Sequence, residues 1–156
     1  MNILPTTKAI KLAAVSLALT VLAAPALASD GAPQFSVQST ATRSIASAAT
    51  AFEKGDFSKS AAYSRHALKQ GLKKSRRTVA YSNLCAALGA QGQYDKARDA
   101  CDSALKASPQ NWQAFSNRAA VNWLSGDKTQ AMQDISSAQQ INADAPVISY
   151  NLGVLG

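Results

Sequence analysis

The sequence has little of what chemistry needs. A single histidine, His66, stands among 156 residues, and the cysteines number two, Cys85 and Cys101. A zinc site wants four ligands, which these three side chains do not supply. No glycine-rich phosphate loop, no Gly-x-Ser-x-Gly elbow and no Cys-x-x-Cys pair is present. The nine acidic residues form no paired set. These absences argue against an enzyme, a cofactor or a metal, and His66 reads as a surface residue between Arg65 and Ala67.

Proline is also scarce. After Pro33 the next is Pro109, then Pro146, and no segment reads as a strand by alternating apolar with polar residues. What fills the space from Thr40 onward is alanine-rich, with apolar residues at helical spacing. The expected fold is all-α. Two cysteines are too few for a disulfide scaffold, so the fold must rest on a hydrophobic core.

An apolar run, Leu12–Ala24, follows Lys8 and Lys11. Pro25 breaks it, and Ala26 and Ala28 stand at the −3 and −1 positions of a cut after Ala28. An uncleaved anchor is the competing reading, but the run is short of the roughly 20 residues that a span needs. Residues 1–28 are therefore read as a signal peptide, and residues 29–39, polar and small, as a flexible leader. No cysteine follows the cut to take a lipid, and no twin-arginine pair precedes the run. The chain is expected to be exported, to a periplasm or out of the cell, with no membrane anchor left after cleavage. An oxidising compartment permits a disulfide and makes nucleic acid an unexpected partner. The formal charge of +7 falls to about +5 when Lys8 and Lys11 leave with no acid lost, a balance that favours acidic partners or anionic surfaces.

An internal repeat organises the remainder. Gly55 opens GDFSKSAAYSRHAL, Gly92 opens GQYDKARDACDSAL and Gly126 opens GDKTQAMQDISSAQ. Gly92 and Gly126 lie 34 apart; Gly55 and Gly92 lie 37 apart, three residues more. Five residues after each glycine stand Ser60, Ala97 and Ala131; twelve after, Ala67, Ala104 and Ala138. A glycine makes a left-handed turn cheap between antiparallel helices. Asp56 and Asp127 are placed to cap the helix that follows. Small residues let helices approach closely, and a hairpin that cannot bury its own face stacks on a neighbour.

This period, with its glycine, its two small positions and Pro109 near a repeat end, resembles the tetratricopeptide repeat (TPR). The resemblance implies an α-solenoid of about three antiparallel helix hairpins plus a final helix. In its register the TPR domain spans residues 40–156, with repeats at 41–74, 78–111 and 112–145 and a final helix at 146–156. Ser75, Arg76 and Arg77 are the insertion. Repeat two fits the family best and is expected to be the most stable. Ser44, Ser47, Arg118 and Asn122 depart from the large apolar residues that the family prefers. The apolar end, YNLGVLG, lacks a polar cap and must cover the stack or dock on something, a second copy of the chain included.

The resemblance also implies a site. The family's groove is lined by the first helix of each repeat. Its sixth position falls on Asn83, Asn117 and Asn151, and Ser82 and Ser116 accompany this ladder. An amide both donates and accepts, so such a ladder can pair with the backbone of an extended peptide; the plainer reading is that asparagine suits these helices locally. The twelfth position falls on Phe52, Gly89 and Trp123, either an apolar notch for one side chain or two aromatics filling the core. The charged clamp with which chaperone-binding members hold a carboxylate is missing, because Ile45 and Ser82 stand there. Cys85 and Cys101 fall nearly level on the two helices of repeat two and inward in the family. They are either a disulfide clasping the hairpin or two buried thiols; a thiol enzyme is disfavoured by that inward placement.

The basic run Lys69, Lys73, Lys74, Arg76 and Arg77 has two readings: a solvated helix end whose cations suit the dipole, or a contact with an anionic surface. The expected function is that of a non-catalytic scaffold or adaptor whose groove holds an extended segment of a partner protein. The alternative is a protein directed to anionic surfaces or the cell envelope by Lys69–Arg77.

Overall fold

A computed structural model describes residues 31–156. The signal peptide read at 1–28 lies outside the described residues, as do Ser29 and Asp30 of the leader. The described chain is all-α. Its helices are α1 (Arg43–Glu53), α2 (Phe57–Leu68), α3 (Lys74–Ala90), α4 (Tyr94–Ala107), α5 (Trp112–Leu124), α6 (Lys128–Ile141) and α7 (Pro146–Leu155).

The turns follow the local chemistry. Gly55, Gly92 and Gly126 take φ of 75°, 73° and 94° between the helices of each hairpin, a region that side chains resist. Asp56 and Asp127 accept from the backbone N–H groups of Lys59 and Gln130, capping α2 and α6. Asn111 does the same for α5 through Ala114, and Pro146 opens α7 at a position where its missing N–H is not needed.

Each helix packs on the next, as α1–α2, α3–α4 and α5–α6 hairpins with α7 following. Additional contacts join α1 to α3, α3 to α5 and α5 to α7, whereas α2, α4 and α6 do not meet one another. The odd-numbered helices thus form one continuous row. The repeated small positions explain the closeness: Ser60, Ala67, Ala97, Ala104, Ala131 and Ala138 are all fully buried, and a larger side chain at any of them would push helices apart. Among the described residues no helix is long and apolar enough to cross a membrane.

Cys85 on α3 and Cys101 on α4 form a disulfide, their Cα atoms 5.2 Å apart and both side chains buried. The bridge clasps the central hairpin. In the chain-entropy model, closing a loop of about this length contributes about 3 kcal/mol.

The insertion Ser75–Arg77 is helical and extends α3 at its start. This corrects the electrostatic reading of the basic run. α2 ends at Leu68, so only Lys69 sits at a helix C-terminus. Lys74, Arg76 and Arg77 occupy the first turn of α3, at the positive end of its dipole, with no acidic residue beside them in that turn.

The departures at Arg118 and Asn122 are also explained. Arg118 donates through Nε and Nη2 to both carboxylate oxygens of Asp134, at 2.9 and 2.6 Å, and through Nη1 to Asp102 at 2.6 Å. Asn122 Nδ2 donates to Asp134 at 2.9 Å and its Oδ1 accepts from Arg98 Nε at 3.0 Å. A chain of polar groups thereby ties α4, α5 and α6 in place of apolar packing at these positions. Burial works against the Arg118 charge, but the hydrogen bonds to Asp134 and then Asp102 outweigh it and hold the guanidinium proton more tightly than usual. Replacing Asp134, itself 2% exposed, by alanine takes away the buried partner of that charge. Asp134→Ala is expected to cost about 3 kcal/mol in denaturant unfolding, the low end for a broken buried pair because Asp102 still faces Arg118.

Candidate functional site

The row of odd-numbered helices carries the asparagine ladder. Asn83 lies on α3, Asn117 on α5 and Asn151 on α7, and each is fully buried. A buried amide needs partners. These find them in the chain's own N-terminal segment, which runs extended along the row from α7 towards α3.

The pairing is regular. Asn151 Oδ1 accepts from the Gln34 N–H at 2.7 Å and its Nδ2 donates to the Gln34 carbonyl at 2.9 Å. Asn117 does the same with Ser36, at 2.8 and 2.9 Å. Asn83 does the same with Gln38, at 2.9 and 2.8 Å. Every amide therefore holds both main-chain groups of one residue, and the held residues alternate. The two serines each meet the next asparagine of the ladder. Asn117 Nδ2 also reaches the Ser82 carbonyl and hydroxyl at 3.3 and 3.4 Å, and Asn151 Nδ2 reaches Ser116 Oγ at 3.3 Å. Ser82 and Ser116 are buried.

The segment read as a flexible leader is thus seated over residues 33–38. Its pattern explains why. Pro33, Phe35 and Val37 are apolar, and Gln34, Ser36 and Gln38 are polar. This is the alternation of a strand, and it corrects the reading that no segment alternates. Pro33 is buried, Phe35 and Val37 are half-buried, and Gln34 and Gln38 are exposed.

Phe35 fits at Gly89. A Cβ built on Gly89 would stand 2.5 Å from the Phe35 ring and 3.1 Å from Val121, so the ring tip occupies the space that any other residue's side chain would take. Phe52 packs on the same apolar cluster as Phe35, which includes Leu84, Leu88 and Val121. Trp123 belongs elsewhere. It packs half-buried on the cluster of Ala131, Ile135 and Ile148, with Lys128 Nζ 4.7 Å from its ring centre. Phe52 thus packs on the cluster that Phe35 joins at Gly89, and the aromatic against Gly89 is Phe35 rather than Trp123.

The basic residues Lys69, Lys73, Lys74, Arg76 and Arg77 are all exposed. Lys73 and Lys74 line an open cleft with Gln38, Thr78, Ser108 and Pro109, so the cations stand beside the end of the seated segment. His66 is exposed and its Nε2 lies 2.9 Å from Gln70 Nε2. At the far end, Leu155 is buried and Leu152 and Val154 are half-buried on the last apolar cluster, while Tyr150 is exposed.

Asn117→Ala removes the central rung and leaves Ser36 without partners for its N–H and C=O. Given the cost of stranded main-chain groups, this substitution is expected to lower unfolding stability by about 2 kcal/mol, measured by urea titration against the unsubstituted chain.

Comparison with protein-family models and with curated proteins finds no match for this chain.

Proposed function

We propose that this protein is an exported, non-catalytic binding module of the tetratricopeptide type, a solenoid whose inner row of helices holds an extended segment of another protein. The observation that carries the reading is the ladder: three asparagines at a 34-residue spacing each grip one residue of an extended chain by its N–H and C=O together. Main-chain pairing supplies affinity for any extended segment, and side-chain seats supply selectivity. The occupant gripped in this way is the chain's own segment, and a partner would take the same place. Export is supported by the charged start, apolar run and small-residue cut at 1–28 and is compatible with the Cys85–Cys101 disulfide.

A second reading has its own support. Lys74, Arg76 and Arg77 crowd the positive end of α3 without acidic neighbours in that turn, an arrangement that an anionic surface would relieve. In it the groove is incidental and the basic segment carries the protein to a phosphate- or carboxylate-bearing surface.

One experiment separates them. Decapeptides selected from a random library on the protein are titrated in low and high salt. The groove reading expects uncharged sequences whose binding survives 0.5 M salt, falls about tenfold with Asn83→Ala or Asn151→Ala, a loss of about 1.4 kcal/mol, and ignores neutralisation of Lys73, Lys74, Arg76 and Arg77. Acidic sequences that dissociate in salt, and that neutralisation abolishes, would favour the second reading instead.

A further inference from the structure

We propose that Pro33–Gln38 is a displaceable self-ligand, and that the external partner is an uncharged extended segment with an aromatic side chain where Phe35 now sits. This rests on the groove reading above and says what the groove selects.

The ladder itself selects little. It touches only main-chain N–H and C=O of residues 34, 36 and 38, so any residue with an N–H fits those rungs. Gln34 and Gln38 point into solvent and go unread. Discrimination falls to the other face of the segment. There Gly89 has no side chain, and the Phe35 ring fills that space against Val121. A flat aromatic edge enters such a slot; an alanine leaves it empty. The seats are apolar or amide, and the seated run Pro33–Gln38 carries no charge. A charged residue at the notch would be desolvated without a partner.

The self-ligand is held imperfectly. Ser36 Oγ is buried without a hydrogen-bond partner, and so is Thr42 Oγ1 where the segment turns into α1. A stranded hydroxyl weakens the seat, and a partner with alanine at the Ser36 position avoids it. The segment nevertheless has the advantage of tethering: residues 39–42 join it directly to α1, which gives it a high effective concentration. An external segment therefore binds in proportion to the fraction of molecules whose own segment has left.

The test uses the chain lacking residues 1–28 and a fluorescent peptide of residues 31–40, read by anisotropy. The Phe35→Ala chain, whose own segment is weakened, is expected to bind this peptide at least tenfold more tightly than the unsubstituted chain does. The same peptide carrying Phe35→Ala is expected to bind the Phe35→Ala chain at least tenfold more weakly, and the peptide carrying Ser36→Ala more tightly. Val37→Asp is a second way to loosen the segment should Phe35→Ala fail to fold. Equal binding of the peptide to loosened and unsubstituted chains overturns self-occupancy. Equal binding of the phenylalanine and alanine peptides overturns the aromatic requirement and leaves the groove reading intact. A loosened chain whose segment is free by NMR, yet which binds no peptide, overturns the groove reading as well.

Discussion

A side-chain amide and a peptide unit are the same chemical group, and the pairing of one with the other is the interaction on which this structure turns. Each buried asparagine of the ladder must find an acceptor and a donor. An extended backbone offers both at every residue, and on one face at every second residue. The match of a 34-residue step on the helices to a two-residue step on the segment is visible in the partners: Asn151 with Gln34, Asn117 with Ser36, Asn83 with Gln38. A slip by one residue would carry Phe35 away from Gly89 and turn Gln34 and Gln38 inward.

Everything else in the fold serves that row. The fully buried small residues, Ala97, Ala104, Ala131 and Ala138 among them, bring helices close enough for Ser82 and Ser116 to touch the next asparagine along. The disulfide fixes the central hairpin that bears Asn83 and Gly89. The Arg118–Asp134 network does a similar job for the next hairpin with charge instead of apolar packing. It stands on the α5 that also bears Asn117. Such a network is costly if left half-satisfied, and here Asp102, Asn122 and Arg98 complete it.

The helical architecture was legible because its signals are local and repeated. The turn glycines, the capping aspartates and the small positions recur in register, and each has one physical meaning. The positions Asn83, Asn117 and Asn151 follow from the register of the resemblance, which leaves open whether they pair with a main chain or only suit their helices. The occupant was not. Its alternation lasts only from Pro33 to Gln38, and it follows Gly31 and opens on a proline in a stretch whose composition suggests a loose tail. Its partners lie 45, 81 and 117 residues away, a separation that no local pattern encodes. The register alone leaves Trp123 open between notch and core, because it does not say which of two apolar clusters a half-buried ring joins. Only Lys69 of the basic run ends a helix, because Ser75–Arg77, an insertion in the repeat register, lengthens α3 at its start instead of looping out.

The central claim is that alternate residues of the N-terminal segment are gripped by the ladder. Amide hydrogen exchange at residue resolution tests it most directly. The N–H groups of Gln34, Ser36 and Gln38, each bonded to an asparagine Oδ1, should exchange much more slowly than those of Phe35 and Val37. Uniformly fast exchange from Gln34 to Gln38 would contradict the account.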